Sequence, residues 1–365
     1  MKAAVWYARN DIRIETVPDP GPPGPGEVIL KVSSCGICGT DLEEYTSGPI
    51  FIPTEQPNPL TGHQAPLILG HEFAGEVVEV GRDVPFKQGT YLAPDTLITC
   101  GECYYCARHE LSLCDDLALL GLSSHGGLAD YCKVPISMCI ELPQSLSPEY
   151  AALAEPLSVA VRAVRKSRLK IGETVAIFGG GTIGLFCLQI ALNAGASDIY
   201  VVEPIAGRRE LALQLGATGV IDPNSTDPVE ELRQLTKIGP DVVLEACGVP
   251  SVMPTTIEAA RKAGRIVLLG IPGSASTINF FSVVVTEKEI IGSMSHVYDE
   301  DFYTALRLLG EGRIDAEKLV THRIPLDRLI EDGLQRLENH APDTLKILVK
   351  PGDGKSLRLA WRCAE

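Results

Sequence analysis

Residues 174–203 read TVAIFGGGTIGLFCLQIALNAGASDIYVVE. A short apolar run at 175–178 predicts a strand, the apolar stretch from Ile183 to about Ala194 predicts a helix, and 199–203 predicts a second strand. Between the first strand and the helix, Gly179, Gly181 and Gly184 make G-x-G-x-x-G, with Thr182 and Ile183 at the helix start. Glu203 follows Gly184 by 203 − 184 = 19 residues and ends the second strand. The expression alone is weak. In this context it predicts a dinucleotide site, with the helix N-terminus facing a pyrophosphate and the Glu203 carboxylate accepting the ribose hydroxyls. A glycine turn without a ligand is the bland alternative. A carboxylate there repels a 2′-phosphate and favours NAD over NADP. Arg208 and Arg209 weaken that preference, because a guanidinium can stack on adenine or take the phosphate.

Outward from this stretch, apolar runs at 241–245 and 266–269 alternate with helical segments as far as about 291. That order implies an α/β domain with a parallel sheet covered on both faces. The segments 27–32 and 73–80 have β character, and the first 150 residues read as mostly β. A long Pro-containing segment, 48–70, interrupts them. The expected division is a mostly β domain over 1–153, a dinucleotide domain over 154–297, and a return to the first domain with a tail over 298–365.

Composition narrows the function classes. The 365 residues carry 32 Lys and Arg against 47 Asp and Glu, a net charge of 32 − 47 = −15, which argues against a nucleic-acid partner. The start, residues 1–13, has no apolar signal core. Residues 174–197 lack charge for 24 positions, a length that spans a bilayer, but the glycines, Gln189 and Asn193 favour a strand, turn and buried helix. A cytoplasmic protein without a membrane partner is expected. In that reducing setting the 11 cysteines, an odd number, are more readily metal ligands than disulfides.

Cys100, Cys103, Cys106 and Cys114 form C-x2-C-x2-C-x7-C, the spacing of a closed, all-thiolate zinc site. An iron–sulfur cluster uses different runs. Cys38 in CGICGTD, His71 in GHE and Glu155 in the apolar LAEP form a second set. Thiolate, imidazole and carboxylate together suit an open zinc site, although these residues alone leave a structural role equally open.

These motifs resemble those of the zinc-dependent medium-chain dehydrogenase/reductase family over nearly the whole chain. The stretch YTSGPIFIPT at 45–54, running on to LGHEF at 69–73, resembles its 2,3-butanediol dehydrogenase branch. The resemblance implies a Rossmann domain plus a mostly β, GroES-like catalytic domain with a structural-zinc lobe. It implies two Zn2+ per subunit and NAD(H), a small alcohol or ketone substrate, and a homodimer or homotetramer. By position, Cys38, His71 and Glu155 match the catalytic zinc ligands and Glu72 a carboxylate that enters or leaves the metal's shell. Thr40 matches the hydroxyl that passes on the substrate proton. Relatives often carry His where Glu43 stands, so Glu43 or solvent replaces it as relay. Polyol and L-threonine oxidation are the substrate alternatives. A catalytically silent nucleotide-binding regulator is the alternative of another class.

Overall fold

The computed structural model describes residues 1–352; the remaining tail, with Cys363, lies outside the described residues. The chain divides into two compact units, Met1–Glu155 with the chain from Val320 onward, and Pro156–Leu319.

In the second unit the strands lie in the order Gly219–Ile221, Asp198–Val202, Thr174–Phe178, Val242–Glu245, Arg265–Leu268, Glu289–Gly292. Every neighbouring pair is parallel. Such a sheet must be buried on both faces, which explains the unbroken apolar strands: Val175, Ala176 and Ile177 have no exposed surface. The charge-free stretch resolves into the strand Thr174–Phe178 and the helix Thr182–Asn193, buried from Gly184 to Ala191. No helix among the described residues is long and apolar enough to cross a membrane.

The first unit is built on a seven-stranded sheet. Its order is Cys139–Glu141, Tyr91–Pro94, Glu72–Val80, Glu27–Gly36, Lys346–Lys350, Val320–Pro325, with Tyr131–Pro135 also on Glu27–Gly36. Glu27–Gly36 pairs antiparallel with Glu72–Val80 through two register shifts, which bend the sheet around its core. Leu30, Phe73, Val77, Leu92 and Val349 fill that core. The last strand pairs Leu348 with Gly36 and Val349 with Cys35, so the C-terminal part of the chain closes under the Cys35–Cys38 segment.

The return to this unit comes at Val320, not at 298. Ion pairs explain the difference. Buried Asp301 meets Arg162 at 3.4 Å and Arg165 at 3.0 Å, fixing the 298–310 region to the helix Ala154–Ser167. Arg313 and Asp315 bond in turn to Asn193 and Gln189.

Candidate active site and dinucleotide site

The helix Gly39–Thr46 organises the first site. Cys38 is its N-cap, and Asp41, at the third helical position, turns back to accept the Cys38 N–H at 2.9 Å. This fixes the thiol beside the Thr40 hydroxyl, 3.7 Å away. Asp41 is fully buried, and its other oxygen lies 3.6 Å from His71 Nδ1. That distance is too long for a good hydrogen bond, so the contact is electrostatic, and both atoms lack a hydrogen-bond partner.

His71 precedes the strand Glu72–Val80, whose first residue enters the same cluster. Donor atoms of Cys38, His71 and Glu72 all lie within 4.8 Å of one another. Glu72 is fully buried, and both its oxygens accept from Lys346 Nζ, at 2.7 and 2.8 Å. Gly36 faces Glu72 across the sheet, and a Cβ there would sit 2.0 Å from the carboxylate, so only glycine fits. Lys346 also donates to the Ile37 carbonyl at 2.9 Å. Burial opposes the charge on Lys346, but Glu72 outweighs it and raises the pKa, with Cys38 and Glu155 contributing.

Burial also opposes a charged His71; the negative Asp41 and Cys38 outweigh it and hold the imidazole well above its ordinary range. One thiol, one imidazole, nearby carboxylates and two orphaned buried atoms fit a divalent cation. Glu155 is buried in the first turn of the helix Ala154–Ser167 but is not one of the three residues within 4.8 Å. The structure thus groups Glu72 with Cys38 and His71, where the sequence reading put Glu155 first. Glu43 is partly buried, and burial, followed by the neighbouring Glu44, raises its pKa.

Cys100, Cys103, Cys106 and Cys114 also converge within 4.8 Å. The Cys100–Cys114 and Cys100–Cys106 sulfurs are 3.5 and 3.9 Å apart, far beyond a disulfide bond. These separations bracket the ~3.8 Å edge of a tetrahedron with Zn–S bonds of about 2.3 Å. Backbone N–H groups of Cys100, Cys103 and Cys106 point at neighbouring sulfurs, as thiolates require. The Asp115 and Cys106 backbone N–H groups lower Cys103 to about 6.

In the second unit, Gly179 takes φ +105°, and a Cβ on Gly184 would stand 1.8 Å from the Gly179 carbonyl. Gly181 caps the helix that begins with Thr182 and Ile183. Glu203, just past the strand Asp198–Val202, is 3% exposed and turns its carboxylate into this turn. Its oxygens accept from Gly180 N–H at 2.6 Å and Ile205 N–H at 2.9 Å. Arg209 is committed to the Glu203 carbonyl at 2.7 Å and to Asp222 at 2.9 Å. Arg208 lies in the first turn of the next helix, Ala206–Gln214.

Sequence reasoning missed Lys346, Asp41 and Glu44. A lysine inside the apolar run LKILV was the available signal for Lys346. Glu44, fully buried, accepts from the backbone of Ile50, Phe51 and Ile52 and so anchors the start of the 48–70 segment. Nothing local distinguishes it from an exposed helical glutamate.

Comparison with known proteins identifies the family. Residues 24–144 match the alcohol dehydrogenase GroES-like domain, and residues 182–311 match the zinc-binding dehydrogenase domain. The chain is 41% identical to the (R,R)-butanediol dehydrogenase of Bacillus subtilis, over 96% of this chain and 100% of that protein. A crystal structure of 2R,3R-butanediol dehydrogenase from Bacillus subtilis superposes with a TM-score of 0.90 at 40% identity, covering 96% of this chain and 99% of that one. An NADP-bound structure from Sinorhizobium meliloti gives a TM-score of 0.88 at 33% identity, with 96% and 99% covered. The chain therefore belongs to the zinc-binding alcohol dehydrogenases of the medium-chain dehydrogenase/reductase family, oxidoreductases that combine zinc with a nicotinamide dinucleotide.

Proposed function

We propose that the chain interconverts 2,3-butanediol and acetoin, oxidising one secondary alcohol of the vicinal diol with NAD and reducing the ketone with NADH. The observation that carries the reaction class is the convergence of Cys38, His71 and Glu72 within 4.8 Å. The choice of diol follows the butanediol dehydrogenase relative.

Cys38 and His71 would hold the catalytic zinc, with Glu155 as third ligand and Glu72 as a carboxylate that enters or leaves. A zinc ion held there supplies a Lewis acid that makes an alcohol proton easier to lose. Thr40, beside the Cys38 thiol, would accept that proton at its hydroxyl while releasing its own, and Glu43, its carboxyl pushed up by burial, would be the acceptor on the way to solvent. Lys346 holds Glu72 in place and balances its charge. Cys100, Cys103, Cys106 and Cys114 would hold a second, structural zinc.

Gly179, Gly181, Thr182, Ile183 and Gly184 cradle the pyrophosphate, and Glu203 takes the ribose hydroxyls. Each carboxylate oxygen accepts one backbone bond and has capacity for another. Arg209 is tied to Asp222, which engages its charge and supports NAD over NADP. The reducing cytoplasm keeps these thiols available to metal. The strand Glu289–Gly292 ends its sheet beside exposed Phe280, Phe281 and Val284, which favours pairing with a second copy; a monomer by light scattering would overturn this.

The test follows NADH absorbance with zinc-loaded protein over butanediol stereoisomers, sorbitol, L-threonine and ethanol. A butanediol isomer should give the highest kcat/KM. A higher value for sorbitol or threonine would replace the diol reading. No response to any of them would leave a silent nucleotide-binding protein.

A further inference from the structure

Glu245 is the last residue of the strand Val242–Glu245 and has no exposed surface. One of its oxygens accepts three donors: the Cys247 N–H at 2.9 Å, the Gly248 N–H at 2.7 Å and the Cys247 thiol at 2.9 Å. Its other oxygen is buried with no hydrogen-bond partner. Its carbonyl accepts from Leu269 and Gly270, at the end of the next strand. A single side chain thus ties its own turn closed while its backbone holds the neighbouring one.

The position of that turn gives it meaning. Phe178 pairs in register with Glu245, and at this pair of strands the sheet reverses its order. Ligands of such sheets bind outside the carboxyl ends of the strands at the reversal. A Cβ on Gly179 would lie 3.1 Å from the Cys247 Cβ, so the Cys247 turn packs directly on the first glycine of the fingerprint. A Cβ on Gly270 would lie 2.1 Å from the Gly248 nitrogen and 2.7 Å from the unpartnered Glu245 oxygen. Glycines on both flanks leave room for this carboxylate and the turn it holds.

A buried carboxylate with one oxygen unpaired is costly, and an apolar residue would serve stability better. We propose that Glu245 is a positioning residue for the dinucleotide, holding the Cys247–Gly248 turn in the shape that lines the cofactor site beside Gly179. The proposal rests on reading that glycine turn as the dinucleotide site. A second consequence concerns the thiol. Burial of the sulfur, and then its bond to the Glu245 carboxylate, push Cys247 up to about 12, so the thiol stays protonated and slow towards electrophiles although the residue as a whole is exposed.

The test uses full-length, zinc-loaded protein and the variants Glu245→Gln and Cys247→Ala. NADH affinity is read by fluorescence titration, KM is measured separately for NAD and for the diol, and Cys247 alkylation by iodoacetamide is followed by mass spectrometry. Glu245→Gln should weaken NADH binding and raise the KM for NAD by about tenfold, the scale of one charge-assisted hydrogen bond. The KM for the diol should stay within about twofold, and alkylation of Cys247 should accelerate. Cys247→Ala, which removes one of three donors, should weaken NADH binding about threefold. Unchanged NADH affinity in Glu245→Gln overturns the proposal, as does an equal rise in both KM values. If Glu245→Gln fails to fold, unchanged affinity in Cys247→Ala overturns it. Failure of the wild-type protein to bind NADH instead overturns the dinucleotide reading itself.

Discussion

Cys100, Cys103, Cys106 and Cys114 meet from within one stretch of 114 − 100 + 1 = 15 residues. Cys38, His71 and Glu72 meet only because a helix cap, a strand start and the last strand of the unit come together. The first cluster is all sulfur, mostly half-exposed, and served by its own backbone N–H groups. The second is mixed, mostly buried, and balanced by a lysine 346 − 72 = 274 positions away from Glu72. A metal in the lobe can only clamp its loop. The same charge in the buried cluster meets unlike donors, one of them already engaged elsewhere, and that is where chemistry becomes possible.

The largest expected effect separates the two clusters directly. Cys38→Ser should lower kcat/KM by roughly 1,000-fold, about 4 kcal/mol of transition-state stabilisation, while NADH binding and melting temperature stay near wild type. Cys103→Ser should do the reverse. Loss of about 2–3 kcal/mol of lobe stability lowers Tm by ~5–10 °C, with kcat of the folded fraction within about threefold. Kinetics and calorimetry on the zinc-loaded variants check both. If Cys103→Ser abolishes turnover at a temperature where the protein is folded, the lobe is more than a clamp.

Lys346→Met tests whether the second cluster depends on its distant partner. Lys346 is 4% exposed and Glu72 fully buried, so the ammonium leaves behind a carboxylate that water cannot reach. Breaking such a pair typically costs about 3–5 kcal/mol, and denaturant unfolding should show a loss on that scale. Adding Glu72→Gln should restore much of it, because the stranded charge is then gone. A single variant as stable as wild type would mean that Glu72 does not depend on Lys346.

The same contrast explains what could be read in advance. The glycine turn, its flanking strands, the charge-free helix and the cysteine spacing are local, and each reads from a few consecutive residues. The helix Met253–Ala259 stops where Ala260 turns extended. No pattern marked that stop. The carboxylates were harder. Glu72 and Glu155 both sit in apolar surroundings, and that Glu72 stands beside Cys38 and His71 follows from strand register and from Lys346. Asp41, Glu44 and Glu245 look like ordinary surface acids until packing buries them. Burial of a charge is a property of the assembled sheet, so it leaves little trace in neighbouring sequence.

Two histidines of the first unit show the electrostatic side of this contrast, and they set the smallest predicted effect. His71 lies among anions and is held above its ordinary range. His125 lies edge-on to His63, ring centres 4.8 Å apart, and takes the Ile68 N–H on Nδ1 at 3.2 Å. Partial burial, and then the charge His63 can carry, push His125 down from 6.5 to about 4. Its folded pKa is below its unfolded one, so between those values the unfolded chain binds the extra proton. Stability is therefore present above pH 6.5 and is lost as pH falls towards about 4. The exposed edge of the ring lets water damp this, so it is a minor share of the acid sensitivity. His125→Asn keeps an acceptor for Ile68 and removes the titration. In urea unfolding, the stability difference, wild type minus variant, should shrink as pH drops through that window. A difference that stays constant with pH would show that His125 is not depressed, and that burial beside His63 costs its charged form little.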